Sequence, residues 1–125
     1  MAVIHGSALQ FIETPGGNYG SGVATPSRGA AEVSVIRQRQ LPGGANPAHT
    51  HDREEVMVLL AGAVTVTVAG EPQPLGPGDA LIVPPGTPHA VTNTGDRPAE
   101  WLVVAPAGVR FFHLSGEEGR PPWSC

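Results

Sequence analysis

Residues 43–62 read GGANPAHTHDREEVMVLLAG, with two histidines two apart, a pair of glutamates and then an apolar run from Val56. In extended backbone, residues two apart share a face, so His49 and His51 project together. If the strand runs on regularly, Glu55 keeps their parity, Glu54 points away, and Met57 and Leu59 continue the inward face. A bulge would exchange the two glutamates. A carboxylate at the lip of an apolar strand is costly to desolvate unless a cation neutralises it. Two imidazoles and a carboxylate suit a first-row divalent transition metal.

Outward from this stretch, period-two alternation recurs while helical periodicity is weak. AVTVTVAG (63–70) puts Val64, Val66 and Val68 on one face and Thr65 and Thr67 on the other. AEVSVIRQR (31–39) also alternates. There Arg37 shares parity with Val33 and Val35; it either reaches inward to grip a substrate carboxylate or points outward into solvent. Further strands are expected in AVIHGSALQFI (2–12), EVMVLLA (55–61), ALIVP (80–84), HAVTN (89–93), AEWLVVA (99–105) and VRFFHL (109–114). Gly- and Pro-rich turn signals, AGEPQP (69–74) among them, separate these runs. The pattern predicts an all-β antiparallel sandwich or small barrel with little helix.

The chain reads as one domain over 1–125, with a core at about 30–114, an N-terminal strand and loop over 1–29, and a tail over 115–125. TPGGNYGSGVATPSRG (14–29) lacks the Gly-Lys-Ser/Thr of a phosphate loop and reads as a flexible surface loop, a lid over a site. The tail SGEEGRPPWSC reads as disordered, Trp123 being its one residue suited to packing on the barrel or on a partner subunit.

Net charge is −4 without a basic cluster, which argues against nucleic acid as a partner. All seven basic residues are Arg, and the absence of Lys excludes Schiff-base chemistry. The one cysteine, Cys125, has no internal disulfide partner, which favours a reducing compartment. The amino terminus lacks a basic segment followed by an apolar one, and the longest apolar stretch (56–70) is too short to span a bilayer. A soluble, cytoplasmic protein without a membrane partner is expected.

A second stretch, GDALIVPPGTPHAVTN (78–93), places His89 after a Pro-Pro-Gly turn, with Val91 and Asn93 on its face. Alone, His89 reads as an ordinary, partly buried histidine; beside the first cluster it reads as a ligand. Together the two stretches resemble the two motifs of the cupins. The first, G-x5-H-x-H-x3-E-x6-G, is met by Gly43, His49, His51, Glu55 and Gly62. The second, G-x5-P-x-G-x2-H-x3-N, is met by Gly78, Pro84, Gly86, His89 and Asn93. The resemblance implies an antiparallel jelly-roll barrel in which His49, His51, Glu55 and His89 bind one divalent ion (Fe, Mn, Ni, Cu or Zn). It also implies pairing into a homodimer through outer sheet faces.

No G-x-S-x-G and no Rossmann fingerprint occurs, so any catalysis would rest on the metal. Beyond the ligands, the acid–base or substrate-binding candidates are His113, Tyr19 and Arg37. His113 groups by parity with Val109 and Phe111, facing the cavity or packing at the rim. His5 is expected to be exposed, and Asp79 to bond backbone amides in a turn. Met57, Leu59, Val91 and Phe111 are expected around the metal, making a pocket for a small, largely hydrophobic substrate with an enol, keto or carboxylate chelating group. The leading reading is a mononuclear-metal oxygenase or dioxygenase. The alternatives are a non-redox isomerase, decarboxylase or lyase, and a small-molecule-binding module without turnover.

Overall fold

The alternating segments fold as strands in the computed structural model, which describes residues 1–123; Cys125 lies outside the described residues. In chain order the strands are β1 (Ile12–Thr14), β2 (Asn18–Ala24), β3 (Val33–Gln40), β4 (His49–His51), β5 (Glu55–Ala61) and β6 (Val64–Val68). They continue with β7 (Glu71–Leu75), β8 (Ala80–Val83), β9 (His89–Thr92), β10 (Ala99–Pro106), β11 (Phe111–His113) and β12 (Glu118–Gly119). Two short 3-10 turns, Gly6–Ala8 and Pro26–Arg28, are the helical content of the described residues. One six-stranded sheet runs β1-β2-β3-β10-β5-β8 and the other β12-β11-β4-β9-β6-β7. The strand order is that of a jelly roll, with two antiparallel sheets that do not join edge to edge into a closed barrel.

The core between the sheets is built as the alternation requires. Val64 and Val66 of β6 pack with Met57, Leu59, Val91, Ala99 and Trp101, all buried. The β6–β7 hairpin turns on Ala69 (φ 49) and Gly70 (φ 83), both left-handed, as a two-residue turn matched to strand twist needs.

Five sequence expectations change. AGEPQP is not all turn: Glu71–Leu75 forms β7, with Pro72 opposite Thr67 and Pro74 opposite Thr65. Proline is tolerated there because β7 is a sheet edge, where a missing N–H costs no ladder bond. The segment 14–29 is not a loop or lid: Asn18–Ala24 forms β2, paired with both β1 and β3. Its glycines, poor strand formers, are retained because something packs on them. A Cβ on Gly20 would come within 2.4 Å of the Trp123 ring. The tail is correspondingly ordered through Trp123, with Glu118–Gly119 paired to β11. The segment 2–12 is mostly irregular, and its strand is confined to Ile12–Thr14.

The fifth change concerns β3, whose inward face carries Ser34, Ile36, Gln38 and Gln40, while Val33, Val35, Arg37 and Arg39 point outward. Ser34, Ile36 and Gln40 are buried and Val33 is 53% exposed. Polar side chains face inward because partners or a cavity await them: Gln40 Nε2 donates to Asn18 Oδ1 at 2.9 Å and to the Val91 carbonyl at 3.2 Å. Arg37 therefore takes the outward of its two expected positions. It lies on the outer face, bidentate to Glu100 through Nε and Nη2 at 3.0 Å each, with Arg39 on the same carboxylate.

Candidate metal centre

The two histidine segments meet because backbone bonds stitch the loop at 43–46 to the end of β9. The Gly43 N–H donates to the Asn93 carbonyl (3.0 Å), the Asn93 N–H to the Gly44 carbonyl (2.9 Å), and the Asn46 N–H to the Val91 carbonyl (3.1 Å). Asn46 Oδ1 in turn accepts the Val91 N–H at 2.7 Å. Asn93 itself is fully buried; its Nδ2 donates to the Gln40 and Arg97 carbonyls and its Oδ1 accepts from the Gly95 N–H. Gly62 turns the chain at φ 77 under Pro98 and Ala99, where a Cβ would lie 2.7 Å from the Pro98 carbonyl oxygen. Several residues of the two motifs thus build the frame rather than the site.

Within that frame His49 of β4 pairs in register with His89 of β9, and one ring nitrogen from each of His49, His51 and His89 lies within 4.8 Å of the other two. His49 Nδ1 donates to the Pro47 carbonyl and His89 Nδ1 to the Thr87 carbonyl, each at 2.9 Å and each two residues back. A carbonyl only accepts, so both rings in their neutral form carry the proton on Nδ1 and turn the Nε2 lone pair inward. Phe111 stacks on His49 at 4.6 Å between centroids.

Glu55 enters from the opposite sheet. Its Oε2 stands 2.7 Å from His51 Nδ1 and 3.7 Å from His89 Nε2. The 2.7 Å approach lacks hydrogen-bond alignment: His51 Nδ1, Glu55 Oε2 and His89 Nε2 are all buried without a hydrogen-bond partner. Buried polar atoms left unpaired cost about 1–3 kcal/mol each. A cation among these atoms satisfies all of them together, so the donor set fits a divalent metal, and the three histidines are placed to hold one. Glu54 is exposed. The glutamate that parity groups with the histidines, Glu55, does lie beside them, but for a different reason. His51 and Glu55 are not on one strand; the chain crosses between the sheets at Asp52–Glu54, and the two side chains meet face to face.

Burial would push the Glu55 carboxyl up, but the adjoining His51 and His89 outweigh it and hold it well below the usual carboxylate range. Burial, reinforced by His89, lowers His49 to about 4. For His89, burial would lower the value, and Glu55 more than reverses this.

A cavity of about 670 Å³ opens beside His49, His51 and Glu55, walled by Ile36, Gln38, Trp101, Val103, Phe111 and Trp123. Of the four residues expected to surround the metal, only Phe111 lines this cavity. Met57, Leu59 and Val91 lie in the core, because the inward faces of β5 and β9 pack against β6 rather than facing open space. His113 is exposed at the cavity's rim, its ring edge-on to Phe111. Tyr19 borders the cavity, but register places it beside Arg39, on the sheet face opposite Gln38. Its hydroxyl donates to Glu13 Oε2 at 2.9 Å, a bond that raises its pKa. His5 is exposed, and Asp79 Oδ2 accepts the Gly76 N–H in its turn, both as expected. Sequence reasoning misses Gln38 as a wall residue and reads Trp123 only as a residue that packs on the barrel or a partner; the one sequence signal for Gln38 is the polar parity of β3 opposite its valines.

Residues 36–105 match the family described as Cupin domain. The chain is a cupin. This cupin is 30% identical over 106 residues to a gentisate 1,2-dioxygenase of Ralstonia sp, covering 80% of this chain and 30% of that protein. It is 34% identical over 87 residues to a Myxococcus xanthus protein named endoribonuclease YbeY, covering 69% of this chain and 29% of that one. The cupin thus spans under a third of the length of these relatives. Among solved structures, the polyketide cyclase RemF from Streptomyces resistomycificus superposes with a TM-score of 0.80 at 22% identity, covering 98% of this chain and 90% of that one. That likeness establishes the shared fold. Among the described residues no helix is long and apolar enough to cross a membrane.

Proposed function

We propose that this cupin is a metal-dependent oxygenase of the mononuclear dioxygenase type, acting on an organic substrate that chelates through oxygen. The observation that carries the reading is the convergence of unpaired donor atoms from His51, His89 and Glu55 beside His49, at the wall of a largely apolar cavity. Glu55 is the fourth ligand in this reading. A divalent ion held there supplies Lewis acidity and, where redox-active, electrons for dioxygen chemistry. The Pro47 and Thr87 carbonyls hold His49 and His89 in the donating tautomer. Phe111 covers His49, and Ile36 and Val103 offer apolar surface to the substrate body and exclude water. Tyr19 is engaged with Glu13 and Arg37 lies outside, so neither is placed for proton transfer at the centre. That favours oxygen chemistry over acid–base chemistry, in line with the similarity to part of a gentisate 1,2-dioxygenase.

One observation favours a second reading, an isomerase, decarboxylase or lyase: His113 stands at the cavity's rim as a candidate base. Substrate-dependent oxygen uptake by the Fe(II)- or Mn(II)-loaded protein, across a panel of catechols and hydroxy- or keto-acids, is the expected result. Turnover under nitrogen with Zn(II) or Ni(II), abolished by His113→Ala, would establish the second reading instead. Saturable binding without product under either condition would leave a binding module.

The protein is also proposed to pair as a homodimer through the outer face of the first sheet. Register aligns Val35, Val104, Val56 and Ile82 in one outward row, and Ile82 is 62% exposed. Light scattering is expected to give a dimer for the wild type and a monomer for Ile82→Glu. A wild type that stays monomeric at high concentration removes the proposal.

A further inference from the structure

We infer that Gln38 positions the far end of the substrate, and that the substrate is an extended molecule with oxygen functions at both ends rather than a two- or three-carbon acid. The inference rests on the metal-centre reading above. Its starting point is the Trp101 indole, which donates from Nε1 to Gln38 Oε1 at 2.8 Å. An indole N–H can only donate, so the Gln38 oxygen must face Trp101 and the amide is locked in one orientation. Its Nε2 then turns away from Trp101. Among the described residues no hydrogen bond reaches this atom, and Gln38 is a half-buried part of the cavity wall. An amide NH₂ offers two donors and no acceptor. The ligand atom it selects is therefore a carbonyl, carboxylate, enolate or quinone oxygen.

Register sets the distance of this donor from the metal centre. Gln38 pairs with Trp101, and Trp101 with Leu59. Leu59 lies four residues beyond Glu55 on β5, about 13 Å at roughly 3.3 Å per residue. Gln38 also lies two strands to the side of β5, roughly 10 Å at about 4.8 Å per strand, so its strand position is on the order of 16 Å from that of Glu55. A two-carbon acid reaches one end or the other. The intervening rung is apolar, Val103 paired with Ile36, so the middle of the ligand is apolar too. A cavity of about 670 Å³ has room for such a molecule.

The test uses the metal-loaded protein and two probes with the same chelating head. Catechol ends at that head, whereas a 1,2-dihydroxyanthraquinone bearing a carboxylate on its distal ring carries acceptor oxygens at the far end. Two variants are compared with the wild type. Gln38→Glu still accepts from Trp101 but replaces the donor with a carboxylate, and Gln38→Met removes both amide groups without adding charge. The anthraquinone is expected to lose about ten-fold or more in affinity in both variants, the worth of roughly one hydrogen bond. Catechol affinity should stay within about two-fold, because the change is remote from the head, and metal content should not move. Equal weakening of both probes, an anthraquinone affinity that holds in the variants, or a wild type that binds catechol but not the anthraquinone each overturns the inference. Failure of the underlying reading is visible earlier and separately, as a wild-type chain that takes up no metal before any probe is added.

Discussion

Replacement of Glu55 by alanine is expected to empty the metal centre, while replacement of its neighbour Glu54 leaves metal content unchanged. Glu55 is 5% exposed and its Oε2 lies 2.7 Å from His51 Nδ1, whereas Glu54 faces solvent. If a total binding free energy of about 10–16 kcal/mol is shared by four ligands, each contributes roughly 3 kcal/mol, or about two powers of ten in affinity. His49→Ala and His89→Ala should cost as much. Elemental analysis after equilibration at a buffered metal concentration checks the series. Retention in Glu55→Ala with loss in Glu54→Ala would mean that the wrong carboxylate has been assigned.

The same groups set the acid behaviour of the metal-free chain. The folded value of His49, about 4, lies below its ordinary 6.5, so its contribution to stability is complete above about 6.5 and is lost as pH falls. Glu55, also depressed, acts in the same direction over a lower range. His89 is raised and acts oppositely, contributing in acid and losing that contribution as pH rises through its folded value. Of the three, His49 is the group whose contribution changes between pH 6.5 and 4, so chemical denaturation should give falling stability as pH drops through that window. A flat or rising profile over that window would contradict the burial of His49 as a neutral ring.

Trp101→Ala is expected to cost about 3–5 kcal/mol, the range for deleting a large buried aromatic side chain. Trp101 is 2% exposed, packs in the core with Leu59, and satisfies Gln38 Oε1. A domain of this size has roughly 5–15 kcal/mol to lose, so the variant should be marginal, with its urea midpoint lowered by about 2 M. Trp101→Phe keeps most of the ring but not the N–H, and should cost about 1–3 kcal/mol. Comparable losses in both variants would assign the stability to the hydrogen bond rather than to packing.

The β6 strand, the β5 face and the paired histidines were legible because each depends on local periodicity. A valine at every second position makes one buried face whatever the rest of the chain does. The β2 and β7 strands were not legible, since glycine and proline disfavour strands locally. Only the neighbours made them strands: Trp123 seated on Gly20, and an edge position that leaves Pro72 and Pro74 no ladder bond to break. The parity of Arg37 with Val33 and Val35 left both directions open, because a row of valines marks an apolar face without saying whether it is the inner one. On β3 the apolar face is the outer one, and Ser34, Gln38 and Gln40 point inward to a cavity and to buried partners.

The sequence by itself determined the two-motif frame, with its turn residues and the paired histidines His49 and His51, because spacing along extended backbone dictates which groups can share a face. Tertiary structure alone decided that Glu55 approaches His51 from the opposing sheet, that Met57 and Leu59 serve the core rather than the cavity, and that an indole on β10 orients Gln38 on β3. Those outcomes depend on how two sheets stack and on which strands lie side by side. Such contacts join residues tens of positions apart, and no local pattern encodes them.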